Sequence, residues 1–147
     1  MLAKKEDLME EKKIKGRKRH IIVDVLGNLL HVKVHAANIH DTKASGAVFD
    51  STQKKYPSIK SYSADEGYRG TAVEHVDQMM KLKLHISKKI KDTFSILPKR
   101  WIVERTFAWL GNFRRLAKDF EILTERAENM IRIAMIKITL LACRDAP

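Results

Sequence analysis

Ser63-Ala64-Asp65-Glu66-Gly67-Tyr68-Arg69-Gly70 is the stretch on which the reading of this 147-residue chain turns. The run from Ile59 to Ala64 has the pattern of a short strand, so Asp65 stands where a sheet ends. It is followed by a glycine turn and then by helical spacing. In α/β folds, side chains from several strand ends converge at such a point, and the turn beyond leaves room for a substrate. Taken alone, Asp-Glu-Gly is more often turn chemistry carrying solvated charges. The neighbouring elements therefore decide between the two readings.

Downstream, Val73, Val76, Met79 and Met80 fall on one face of a short helix. Leu82, Leu84 and Ile86 then alternate with Lys83, His85 and Ser87 in a strand. Strand, helix and strand in succession predict a parallel pair with a right-handed crossover. Upstream, Ile21, Ile22, Val23 and Val25 form a β-branched run, Gly27-Asn28 supplies a turn, and Leu30, Val32, Val34 and Ala36 alternate with His31, Lys33 and His35. This is a hairpin. Asp41 or Thr42 caps a helix carrying Ala44, Ala47 and Val48 that ends before Pro57. Pro98 opens a longer helix with the stripe Ile102, Thr106, Trp109, Leu110 and Phe113. Thr124 caps a last helix that packs through Ala127, Met130, Ile131, Ala134, Ile138, Leu141 and Ala142. Residues 1–11 alternate charges without an apolar period and receive no assignment.

Charge restricts the partners. Twenty-nine Lys and Arg against 18 Asp and Glu give a net charge of +11, and a polyanion, nucleic acid first among them, suits such an excess. The cations cluster: Lys12, Lys13, Lys15, Arg17, Lys18 and Arg19 in one run, Lys88, Lys89 and Lys91 in a second, and Arg114 and Arg115 in a third. Arg100 and Arg105 flank Glu104, which lies off the apolar stripe of its helix. His31, His35 and His40 lack the Cys or His partners of a chelate and read as surface or DNA-facing. The lone Cys143 excludes an internal disulfide and predicts a cytoplasmic setting. Arg132 and Lys137 interrupt the apolar C-terminal segment, so membrane insertion is not expected.

The order hairpin, helix, strand, helix, strand, helix, helix is close to that of ribonuclease H-like folds. Four ordered blocks resemble the DDE transposases of bacterial insertion sequences. They are Lys12-Lys13-Ile14-Lys15-Gly16-Arg17-Lys18-Arg19-His20, then Val34 to Asp41, then Ala64 to Gly70, then Arg100-Trp101-Ile102-Val103-Glu104-Arg105-Thr106-Phe107-Ala108-Trp109-Leu110. The resemblance implies a partial catalytic domain over residues 12–147. Its fold would be an α/β, ribonuclease H-like mixed sheet of hairpin plus parallel strands flanked by helices.

It also implies metal-dependent cleavage and strand transfer of DNA, with transposon ends and target as partners; a homo-oligomer is a further candidate partner, its state not fixed by the sequence. In that family two Asp and one Glu hold two divalent ions, Mg²⁺ or Mn²⁺, around the reacting phosphate. Asp65 matches the second acid and Glu104 the third. The family's first Asp precedes the Lys12 to His20 run on a strand that residues 1–11 are not expected to form. Asp24 is the candidate substitute, although it matches a hairpin position in the family and not the first acid. The expectation is a transposase impaired by loss of its first acid. The alternative is a non-catalytic DNA-binding or dimerising remnant that inhibits an intact transposase.

Overall fold

The computed structural model describes residues 2–5, 16–39, 41–87 and 100–145. Its sheet contains β1 (Leu2–Lys5), β2 (Arg17–Val23), β3 (Leu29–Ala36), β4 (Ser61–Ala64) and β5 (Lys83–Ile86). The helices are α1 (Asp41–Lys55), α2 (Thr71–Met80), α3 (Arg100–Gly111) and α4 (Thr124–Arg144), and the five strands lie in the order β3-β2-β1-β4-β5. β2 and β3 form the expected antiparallel hairpin, and β4 and β5 the expected parallel pair across α2.

The strand expected to be missing is present. β1 runs antiparallel to β2 with Leu2 opposite Ile22, and parallel to β4 with Leu2 beside Ala64. Leu2-Ala3-Lys4-Lys5 carries little β propensity of its own. It pairs because the hairpin and the parallel pair each present an open row of backbone donors and acceptors that a central strand satisfies from both sides.

Alternation along the strands divides the core between two faces. Ile21, Val23, Val32 and Val34 meet Ile102, Val103 and Leu110 of α3 and Ala127, Ile131, Ala134 and Met135 of α4. Ile22, Tyr62, Ala64 and Leu84 meet Val48 and Phe49 of α1 and Ala72 and Val76 of α2 on the other side. Both faces of the sheet are thus covered, as a fold with a parallel crossover requires.

Several local expectations shift. Val25 lies in the hairpin turn and is exposed. Asp24 organises that turn: its carboxylate accepts from the backbone N–H of Leu26 at 2.8 Å and of Asn28 at 2.9 Å, while Gly27 takes φ +94°. Thr124 is the first residue of α4 and not its cap; Leu123 holds that position without a side-chain bond. Leu141 and Ala142, expected to pack, are exposed. Val103 is fully buried although it lies outside the predicted stripe. Pro98, expected to open α3, lies outside the described residues.

Candidate catalytic acids and the basic surface

Asp65 follows the last residue of β4 and remains extended, with φ −80° and ψ 178°. Tyr62 and Ala64 belong to the α1/α2 face, so alternation turns Asp65 toward the face covered by α3 and α4. The residue then starts a 3-10 turn, Glu66–Tyr68, and its carboxylate accepts from the backbone N–H of Gly67 at 3.1 Å. Turn chemistry and placement at a strand end are therefore both true of Asp65. Glu104 is exposed on α3, the helix that packs over β1 and β2 on that same face. The two candidate acids share one side of the sheet.

Asp24 does not join them. Asp65 stands one step beyond Ala64, level with Ile21 of β2, whereas Asp24 lies three residues from Ile21 in the opposite direction. At about 3.3 Å per residue and about 4.8 Å per strand spacing, the two Cα atoms are roughly 14 Å apart. A carboxylate at that end of the sheet, already engaged by the hairpin turn, is no substitute for a ligand beside Asp65.

The chemistry of Asp65 and Glu104 suits a divalent ion in kind, because carboxylate oxygens are the hard donors that Mg²⁺ and Mn²⁺ take. Among the described residues these two are the candidate acids on this side of the sheet. β1 passes beside Asp65, yet Leu2-Ala3-Lys4-Lys5 contains no acid. Among the described residues no three His, Cys, Asp or Glu side chains gather as a metal cluster.

The basic residues divide by what they already touch. Arg17 donates to the carbonyl of Glu121 at 2.6 Å and to that of Ile122, and pairs with Asp119. Arg19 donates to the carbonyl of Leu116 at 3.0 Å. Both therefore tie β2 to the segment leading into α4. The Arg105 guanidinium lies between the rings of Trp101 and Trp109, 4.6 and 4.5 Å from their centroids, and donates to the carbonyl of Leu26 at 2.7 Å. All three of these arginines make internal contacts. Arg114 and Arg115 are exposed, and Arg115 pairs with Glu121 at 3.0 Å. Lys18 is half-buried on β2. Lys12, Lys13, Lys15, Lys88, Lys89 and Lys91, and the side chain of Arg100, lie outside the described residues.

A buried polar chain beside Asp65 is not evident from the motifs. Tyr68 is 1% exposed, and its hydroxyl lies 2.6 Å from His20 Nδ1. His20, fully buried, meets His35 with the two Nε2 atoms 2.5 Å apart, the ring centroids 4.6 Å apart and the ring planes within 17° of each other. His35, expected on the surface, is 7% exposed. The polar side of its strand is the side that α1 covers. Strand parity carried the signal, since His20 shares a face with Ile22. A cavity of about 450 Å³ lies nearby between α1, β3 and α4, lined by His31, Lys33, His35, Glu128 and Arg132 and not by the candidate acids.

A sheet ordered 3-2-1-4-5, with an acid at the end of the strand next to its centre, defines a ribonuclease H-like domain. A solved structure, the catalytic core domain of BIV integrase, shares this fold with a TM-score of 0.53 at 9% identity, covering 92% of this chain and 80% of that one. The chain belongs to the transposase DDE domain family, whose match runs over residues 4–138. A putative transposase for insertion sequence element IS402 from Burkholderia cepacia is 31% identical over 118 residues, which cover 72% of this chain and 54% of that protein. The chain thus spans about half the length of this curated relative. Among the described residues, no helix is long and apolar enough to cross a membrane.

Proposed function

We propose that this chain is catalytic-domain sequence of an insertion-sequence transposase, that it binds transposon-end DNA through phosphates, and that Asp65 and Glu104 hold a divalent ion at the scissile phosphate. The observation that carries this reading is the position of Asp65. It directly follows β4 beside the central strand, within the stretch matched by the family, on the side of the sheet that also carries Glu104.

Asp65 and Glu104 would hold the divalent ion, which when bound would supply activation of an attacking oxygen and neutralisation of charge on the leaving one. The chain's own residues supply the rest. Asp65 and Glu104 offer oxygen ligands from two different elements, and the Gly67 N–H orients the Asp65 carboxylate. The exposed cations Arg114 and Arg115 attract the phosphate backbone, which orients a duplex without reading its sequence. Among the described residues, Leu2–Lys5 on the strand beside Asp65 supplies no third acid. A missing charge-stabilising group of this kind costs about 10²–10³ in rate.

The test is strand cleavage of a transposon-end duplex in Mg²⁺ or Mn²⁺ by the unaltered chain and by Asp65→Asn, Glu104→Gln, Asp24→Ala and Ala3→Asp. Ala3 stands one register step beyond Leu2, level with Asp65 on the adjacent strand. Weak cleavage is expected, lost in Asp65→Asn and Glu104→Gln, indifferent to Asp24→Ala and raised in Ala3→Asp. Cleavage that survives both Asp65→Asn and Glu104→Gln would refute the assignment. The second reading is a DNA-binding remnant that inhibits an intact transposase, favoured by the absence of an acid from Leu2–Lys5. It predicts salt-sensitive DNA binding with no cleavage in any variant.

A further inference from the structure

We infer that His20 and His35 are positioning residues for Asp65, acting through Tyr68; the inference rests on the assignment of Asp65 above. The turn Glu66–Tyr68 ties Asp65 to Tyr68 at short range. Asp65 accepts the Gly67 N–H at 3.1 Å through its side chain and the Tyr68 N–H at 3.3 Å through its carbonyl. Such a turn at a strand end is held only by local bonds unless a side chain anchors it. Tyr68 is that anchor. Its ring lies in the core formed with α1 and α2, and its hydroxyl reaches beyond β1 to His20 on β2.

Hydrogen accounting gives this chain a direction. His35 Nδ1 lies 2.9 Å from the carbonyl of Ala36, which can only accept, so Nδ1 carries the hydrogen. In a neutral His35, Nε2 is then the acceptor, and His20 Nε2–H donates to it across 2.5 Å. His20 Nδ1 is left as the acceptor for the Tyr68 O–H at 2.6 Å. Each contact then holds one hydrogen, and the series ends on a fixed backbone carbonyl. The two imidazoles meet end to end through the bond between their Nε2 atoms with their planes 17° apart, which fixes the ring of His20, and with it the direction in which Nδ1 points. His20 thereby sets where the Tyr68 hydroxyl sits, and Tyr68 sets the turn that presents the Asp65 carboxylate.

The experiment compares the full chain with Tyr68→Phe, His20→Leu and His20→Asn. Asparagine retains an acceptor near the place of Nδ1, and leucine does not. Two quantities are read: amide hydrogen exchange, residue by residue, and the Kd for Mn²⁺. In Tyr68→Phe, and likewise in His20→Leu, exchange at Gly67 and Tyr68 should quicken about tenfold while the amides of Ile21 and Val32 hold their protection, and Mn²⁺ should bind several-fold more weakly. His20→Asn should recover most of the protection that His20→Leu loses. Unchanged exchange at Gly67 in folded Tyr68→Phe overturns the inference. So does a uniform loss of protection across the sheet, which is the mark of a purely structural role. If the unaltered chain and Asp65→Asn bind Mn²⁺ equally poorly, the metal assignment fails. The exchange pattern then still decides whether His20 holds the turn.

Discussion

Glu128 closes the open edge of the sheet, and its replacement should cost more stability than its partners' exposure suggests. β3 is an edge strand, and the outward N–H of Val34 has no strand beyond it to accept its hydrogen bond. Glu128, from the second turn of α4, supplies the acceptor: Oε1 lies 3.0 Å from that N–H, and the side chain is only 8% exposed. Lys33 at 3.3 Å and Arg132 at 3.2 Å flank the charge, but both are about half exposed, at 52% and 43%. The two ion pairs should therefore contribute no more than about 1 kcal/mol each. Glu128→Ala leaves the Val34 N–H buried without its acceptor, a loss of about 1–3 kcal/mol, and releases both cations. The expected total is about 2–3 kcal/mol, or roughly 4–12 °C in Tm for a chain of this size. Glu128→Gln keeps a carbonyl oxygen for Val34 and should lose about 1 kcal/mol or less. Urea unfolding of the three proteins, with equal m-values, measures the difference. Equal losses for alanine and glutamine would show that the charge and not the edge hydrogen bond matters, and would refute this account.

Three other perturbations have definite expectations. Gly27→Ala places a Cβ 3.0 Å from Arg105 Nη2 and 3.3 Å from Thr106 Oγ1 at φ +94°, and should destabilise the chain by about 1–3 kcal/mol in urea unfolding. Arg17→Ala should lose about 2–3 kcal/mol by freeing the carbonyls of Glu121 and Ile122, whereas Arg114→Ala should leave stability unchanged and lower the log–log salt slope of DNA binding by about 0.9. His31 is held below its ordinary value of 6.5, chiefly by burial and then by Arg132, with Lys33 and Lys55 adding to the shift and Glu128 opposing it. The unfolded chain therefore binds the His31 proton more readily than the folded one. This contribution is complete above pH 6.5 and is lost as pH falls through the lower folded value. The urea midpoint should drop over that window, and His31→Gln should flatten the profile.

What the sequence determined by itself was everything set by local periodicity and turn chemistry. Val32 and Val34 against Lys33 identified a half-covered strand, Gly27 its turn, and the run from Ser61 to Ile86 a parallel crossover unit. Asp65 was legible as a strand-end acid because the strand before it and the glycine turn after it are both local signals. Tertiary structure alone decided three further matters. Leu2–Lys5 became the central strand, since pairing on two sides outweighs the weak propensity of Leu-Ala-Lys-Lys. Arg17, Arg19 and Arg105 were tied to carbonyls of Glu121, Leu116 and Leu26, which come from distant parts of the chain. Asp24 and Asp65 were separated to opposite ends of the sheet, and His20, His35 and Tyr68 were brought together. Strand register governs both outcomes, and register depends on which strands pair, a long-range choice that no window of sequence contains.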